Sequence, residues 1–129
     1  MIYGIGVDMV EVGRVRDALA RHGDRFAARI LAEPEWPEFR SARDGASWLA
    51  KRFAAKEAFG KATGIGIRAP VTLRAMWVDK DALGRPSFAF APAVQEWLDA
   101  RAIHAHHLSL SDEATMAVAF VVLETRGEE

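Results

Sequence analysis

Glu57 and Lys61 stand four residues apart in the run Arg52-Phe53-Ala54-Ala55-Lys56-Glu57-Ala58-Phe59-Gly60-Lys61-Ala62-Thr63-Gly64. At about 100° per residue, a helix brings this carboxylate and this ammonium near one another on one face, with Phe53 and Phe59 free to turn toward a core. Read alone, the pair equally describes a surface ion pair worth about 0.3 to 0.5 kcal/mol. Further polar residues widen the pattern: Asp8 follows Gly4-Ile5-Gly6-Val7 near the N-terminus, and His107 and Ser109 precede an apolar run near the other end. If Asp8 and Glu57 converge, their like charges call for a cation between them, and a hard divalent ion with few protein oxygens suits two carboxylates. Mg²⁺ keeps several waters and takes remaining ligands from phosphate oxygens, so such a pair points to a diphosphate-bearing substrate. Lys61 could then neutralise a phosphate oxygen, and backbone N–H groups of the turn from Gly64 to Gly66 could meet another. His104, His106 and His107 suggest a metal cluster, but no acidic or cysteine neighbour stands at ligand spacing. They read instead as a strand entry with histidines on alternating faces, His107 and Ser109 sharing one.

These side chains must be positioned by a small chain. Its 129 residues fit one domain spanning 1–129, with a core too small for a deeply enclosed site. Half the residues are hydrophobic and 27% are charged, which describes a globular protein. Seventeen basic against 18 acidic residues leave a formal charge of -1, so no overall field points to nucleic acid. The absence of cysteine excludes disulfides, thiol nucleophiles and cysteine-held metals. No apolar run reaches the roughly 20 residues that cross a bilayer, and the N-terminus lacks a leader pattern, so the expectation is a soluble cytoplasmic protein without a membrane partner.

Residues 2–7 alternate glycine with apolar side chains and read as a strand, with Gly4 and Gly6 permitting close approach of a backbone or ligand and Asp8 at its end. A first helix is expected over 10–21, stopping near Gly23, and a short second one over 24–31, capped by Asp24. Two prolines punctuate 33–37. From 47 to 62 only Gly60 interrupts a long, largely buried helix. Strands are expected at 71–78 and 86–90, a helix over 91–103 with Val94, Trp97 and Leu98 inward, and final strands at 106–110 and 116–124 about a turn at 111–113. The last strand is apolar on both faces and needs cover on both, which points to burial between subunits. Residues 126–129 read as a frayed tail.

Four anchors in this order and spacing carry a family resemblance: Gly4-Ile5-Gly6-Val7-Asp8-Met9-Val10-Glu11, the run from Arg52 to Ala62, Gly84-Arg85-Pro86, and His107-Leu108-Ser109-Leu110-Ser111-Asp112. The chain resembles, over nearly its whole length, the holo-acyl-carrier-protein synthase family of 4'-phosphopantetheinyl transferases. The resemblance implies an α+β fold, a small antiparallel sheet packed on a long central helix, and a homotrimer with active sites between subunits. It implies that Asp8 and Glu57 hold Mg²⁺ with the diphosphate of coenzyme A and that Lys61 contacts that diphosphate. Arg52, Pro86, His107 and Ser109 would grip the 3'-phosphoadenosine part from a neighbouring subunit, and Gly64 would lie at the coenzyme site. The implied reaction moves 4'-phosphopantetheine from coenzyme A to a serine of apo acyl carrier protein, releasing adenosine 3',5'-bisphosphate, in support of fatty-acid biosynthesis. Glu57, Lys61 and Asp8 would be the catalytic residues.

The segment 14–29 holds Arg14, Arg16, Arg21, Arg25 and Arg29 against Asp17 and Asp24. Were the first two helices one ridge, Arg14, Arg21, Arg25 and Arg29 would fall within roughly 80° of one another, although Gly23 can break that register. The ridge reads either as a solvated face or as a docking surface for an acidic carrier protein. Two rival functions share parts of the pattern: a diphosphate hydrolase using water as acceptor, and a coenzyme-binding module in which Glu57 and Lys61 are only a surface pair.

Overall fold

The computed structural model describes residues 1–126. Of the tail expected to fray, Arg126 alone falls among them and is exposed. The central element is helix α4, Gly45–Thr63, which begins where Asp44 accepts the Ser47 N–H and ends at Gly64 in the left-handed conformation, φ 87°. Alanine, lysine and bulky apolar residues fill it without proline, which favours helix along its length. It is buried nearly all round because it lies between two apolar clusters.

Against one side lies an antiparallel three-stranded sheet in the order β1-β5-β4, formed by β1 (Ile2–Glu11), β4 (Ile103–Asp112) and β5 (Met116–Thr125). Ala119, Val121 and Leu123 of β5 meet the helix in one core with Phe59 and Leu108, while Ala117 joins the second cluster. A two-stranded ribbon, β2 (Met76–Lys80) with β3 (Pro86–Phe90), and helix α5 (Pro92–Ala100) close that core. On the other side of α4, α1 (Val12–His22), α2 (Asp24–Ala27) and α3 (Trp36–Ser41) enclose Val12, Val15, Ile30, Leu31, Trp48 and Leu49. This α+β arrangement is the expected class.

Several boundaries differ from the sequence reading for tertiary reasons. β1 runs past Val7 to Glu11 because residues 8–11 continue the ladder with β5, so Asp8 sits inside the strand and not at its end. α2 stops at Ala27, and Asp24 is not its cap; its carboxylate takes two hydrogen bonds from Arg40. Residues 71–78 do not form one strand: Val71 makes an isolated bridge to Arg68, Leu73–Ala75 is a 3-10 turn, and pairing with β3 begins at Met76. α5 ends at Ala100, and the next residues turn through Ala102 at φ 57°. Val94 and Leu98 are buried as expected, whereas Trp97 is half-buried beneath the Arg101 guanidinium, 3.8 Å from its ring centre. The turn between the last strands falls at 113–115.

The sheet is covered on one face only. On the other, Ile5, Val7, Met9 and Phe120 are 57, 51, 62 and 44% exposed. Among the described residues, none supplies the cover that β5 needs on its second face.

Candidate active site

Two missing side chains place the site. A Cβ on Gly4 would stand 2.0 Å from the Ala62 carbonyl oxygen, and one on Gly6 2.0 Å from that of Ala58. Only glycine lets β1 lie this close to the backbone of α4, so the expected close approach is made by a helix. Asp8, two residues beyond Gly6 on the same strand face, is thereby carried to α4. Lys61 Nζ donates to Asp8 Oδ1 at 3.0 Å and to the Val7 carbonyl at 3.0 Å. The one-turn spacing had suggested Glu57 as the partner of Lys61. β1 offers the ammonium two acceptors together, and Lys61 takes those.

Among the described residues, the Glu57 carboxylate has no hydrogen-bond or ion-pair partner. Partial burial lifts its carboxyl above the usual range, the nearby Asp8 carboxylate lifts it further, and Lys61 opposes the rise. The Asp8 carboxylate thus lies within electrostatic reach of Glu57. Both line one cleft of about 520 Å³, together with Glu11, Arg14, Phe26 and Phe53. Phe53 therefore faces the cleft, while Phe59 is fully buried. Two hard carboxylates of like charge, one unpartnered, form a donor set that fits a small divalent cation completing its shell with water and phosphate. Among the described residues no group of three or more histidine, aspartate or glutamate side chains is gathered for a metal.

The remaining sequence-predicted residues are dispersed over the protomer. Pro86 and His107 share a second hollow of about 390 Å³ with Asp81, Arg85 and Ser87. His107 and Ser109 lie on the sheet face away from α4, opposite Val122 and Phe120. Asp8 pairs with Ala119 on the helix-facing side of β1, at the other edge of the sheet. Two strand spacings, roughly 10 Å, and the thickness of the sheet separate these groups, so within this chain they are not united. His107 Nε2 meets Glu124 Oε1 at 2.5 Å, which holds the Glu124 carboxyl below the usual range. His106 turns the other way: its Nε2 accepts the Phe88 N–H at 3.0 Å, and burial pushes its pKa down.

Gly64 is exposed at the end of α4, about 18 Å of helix from Arg52. The anion-facing turn expected after it is corrected, because its N–H groups have internal acceptors. Gly64 donates to the Lys61 carbonyl, Ile65 to Thr63 Oγ1 and Gly66 to the Gly60 carbonyl. Arg52 is 1% exposed, with its guanidinium 4.3 Å from the centre of the Trp48 ring and 3.2 Å from Glu38 Oε2.

The sequence reading missed Glu35 and gave Lys56 no role. Lys56 Nζ donates at 2.6 Å both to Glu35 Oε1 and to the Ile30 carbonyl, and Glu35 also accepts the Ala32 and Val78 N–H groups. This buried pair ties α4 to the segment before α3 and to β2, one residue from Glu57. The only sequence signal was a lysine among Ala54, Ala55, Ala58 and Phe59, where the helix has no solvent face. The arginine ridge is also revised. Gly23, at φ 56°, breaks the register between α1 and α2, and α2 ends before Arg29. Arg14 lines the carboxylate cleft, Arg25 and Arg29 line a separate depression with His22, and Phe26 borders both. All four arginines are exposed.

The model of the 4'-phosphopantetheinyl transferase superfamily matches residues 4–120. The chain is 56% identical over 126 residues to the holo-acyl-carrier-protein synthase of Azoarcus sp., covering 98% of this chain and 100% of that one. Its fold is similar to the crystal structure of the Neisseria meningitidis holo-acyl-carrier-protein synthase, with a TM-score of 0.94 and 47% identity over 97% of this chain and 100% of the other. It is also similar to the Bacillus anthracis synthase solved in complex with coenzyme A (3',5'-ADP), with a TM-score of 0.82 and 36% identity over 98% and 99% of the two chains. On these likenesses of sequence and fold, the chain belongs to the 4'-phosphopantetheinyl transferase superfamily and, within it, to the holo-acyl-carrier-protein synthases.

Proposed function

We propose that this enzyme transfers 4'-phosphopantetheine from coenzyme A to a serine of apo acyl carrier protein, in the cytoplasm and for fatty-acid synthesis. The observation that carries the reading is the meeting of Asp8 and Glu57, from distant segments, at one cleft, with Lys61 bonded to Asp8. A solved relative in complex with coenzyme A supports the substrate. Asp8 and Glu57 are the residues that would hold Mg²⁺, which when bound supplies charge neutralisation and polarisation at the diphosphate.

Lys61 holds an oxygen of the same diphosphate. The serine Oγ attacks the β-phosphorus, which carries the pantetheine, and its proton passes to Glu57 or to a water beside it. The bond from that phosphorus to the bridging oxygen breaks, and the electron pair leaves with adenosine 3',5'-bisphosphate. A new phosphodiester joins pantetheine to the serine. Little covalent work falls to the protein, so holding the reactants and offsetting charge dominate the rate.

The dispersal of Pro86, His107 and Ser109 away from Asp8 supports a homotrimer in which a neighbouring protomer brings them to the coenzyme, together with Arg52. The uncovered apolar face with Ile5, Val7, Met9 and Phe120 supports the same assembly, because contact between copies would bury it. Arg14 and Arg21, with Arg25 and Arg29 beyond the break, form the basic wall an acidic carrier would meet. The unit so described is one domain over 1–129.

Incubation with apo carrier protein, coenzyme A and Mg²⁺, followed by mass spectrometry of the carrier, tests the reading. A gain of one phosphopantetheine supports it. Adenosine bisphosphate release with no change in the carrier would mean hydrolysis, and no reaction would mean a binding module.

A further inference from the structure

The candidate site carries a positive charge of its own. Lys61 Nζ sits on Asp8 Oδ1 and the Val7 carbonyl, each at 3.0 Å, while the Glu57 carboxylate in the same cleft is unpartnered among the described residues. The Asp8 side chain is 19% exposed and belongs to a strand held against α4; the Lys61 side chain is 54% exposed on a flexible stem near the end of that helix. The acid is therefore the fixed member and the ammonium the movable one. We infer that Lys61 is an internal counter-ion that the metal must displace: it neutralises Asp8 in the free enzyme and leaves it only when a diphosphate arrives to receive it.

This inference rests on the metal and diphosphate reading above and adds a coupling to it. Asp8 Oδ1 cannot give the same lone pair to an ammonium and to a divalent cation, and the two positive charges repel at such separations. A divalent ion entering alone loses the Lys61–Asp8 contact and leaves the ammonium without an anion. One entering with a diphosphate does not, because the substrate supplies the acceptor. Linkage makes the effect reciprocal, so the ion must strengthen coenzyme binding by the same factor.

Mn²⁺, a paramagnetic stand-in for Mg²⁺, gives a readout independent of turnover: free Mn²⁺ counted by electron paramagnetic resonance while the full chain is titrated. Wild type without coenzyme A is expected to bind Mn²⁺ weakly, and coenzyme A to tighten it about tenfold or more. Lys61→Met, and Lys61→Gln as a second uncharged variant, are expected to bind Mn²⁺ about tenfold tighter than wild type with no coenzyme present. Arg101→Met removes an exposed cation, stacked on Trp97, that lines no part of that cleft, and is expected to change Mn²⁺ binding less than about twofold. Unchanged Mn²⁺ affinity in both Lys61 variants, or equal tightening in the Arg101 variant, overturns the counter-ion role while leaving the metal site standing. Asp8→Asn that binds Mn²⁺ as wild type does, or no binding by any form with coenzyme A present, removes the metal reading and the coupling with it.

Discussion

Gly6 of β1 lies so close to α4 that a Cβ there would stand 2.0 Å from the Ala58 carbonyl oxygen and 2.8 Å from the Ala62 nitrogen. Neither neighbour is a side chain that can swing away. This contact sets the distance between the strand that carries Asp8 and the helix that carries Glu57 and Lys61.

Gly6→Ala is expected to cost at least about 2 kcal/mol, because the strand must lift from a backbone that cannot yield. Gly13→Ala is the comparison: nothing lies within 4 Å of its Cβ, and the change is expected to stay within about 1 kcal/mol of wild type. Urea unfolding of both variants measures the difference. A Gly6→Ala protein as stable as wild type would show that the sheet is free to shift on the helix.

Asp8→Asn and Glu57→Gln are expected to lower phosphopantetheine transfer by at least about a hundredfold while leaving the oligomer intact, since each removes a charged donor and almost no core volume. Carrier mass and light scattering read the two properties separately. Transfer at the wild-type rate by both variants would exclude these carboxylates from the reaction.

Lys56→Met leaves the Glu35 carboxylate buried without its counter-ion and is expected to cost about 3 to 5 kcal/mol. Glu35→Gln removes the unpaired charge while its amide oxygen still accepts one of the Ala32 and Val78 N–H groups, so Lys56→Met with Glu35→Gln should recover part of that loss, and the two changes should fall short of additive. A double-mutant cycle in urea checks this. Additive losses would mean that the 2.6 Å contact contributes no pairwise energy.

His106 makes stability depend on pH. Its ring accepts the Phe88 N–H and lies against Phe88 and Phe90, and burial, with the neighbouring His107 acting the same way, lowers its folded pKa. The unfolded chain, near pKa 6.5, then binds more protons than the folded one below about that pH. The stabilisation is fully present above pH 6.5 and is lost as pH falls toward the folded pKa, with a slope no steeper than about 1.4 kcal/mol per pH unit. His106→Gln retains an acceptor without that titration and is expected to flatten the stability profile from pH 6.5 to 5. An unchanged slope would assign the acid sensitivity to other groups.

Charge reversal at Arg14 and Arg21 is expected to raise KM for carrier protein several-fold more than KM for coenzyme A, and to weaken the salt dependence of the carrier reaction. Steady-state kinetics at two ionic strengths separate the effects. Equal changes for both substrates would place these arginines outside a docking surface.

The segments whose character is local were legible before any fold was known. An alanine-rich run interrupted only by Gly60 dictates α4, glycine alternating with apolar residues dictates a strand that can approach another backbone, and β5 is apolar on both faces whatever lies beside it. Asp8, Glu57 and Lys61 could be singled out because their residue types and spacing are written in the chain. The partner of each group was not, because that choice is made by segments far apart in sequence. Lys61 bonds Asp8 because β1 presents a carboxylate and a carbonyl together, and Lys56 finds Glu35 across the space beside β2. The ladder with β5 extends β1 past Asp8, and internal acceptors occupy the N–H groups after α4. Which face of the sheet α4 covers, and therefore which face stays exposed, is likewise settled by how the elements pack against one another.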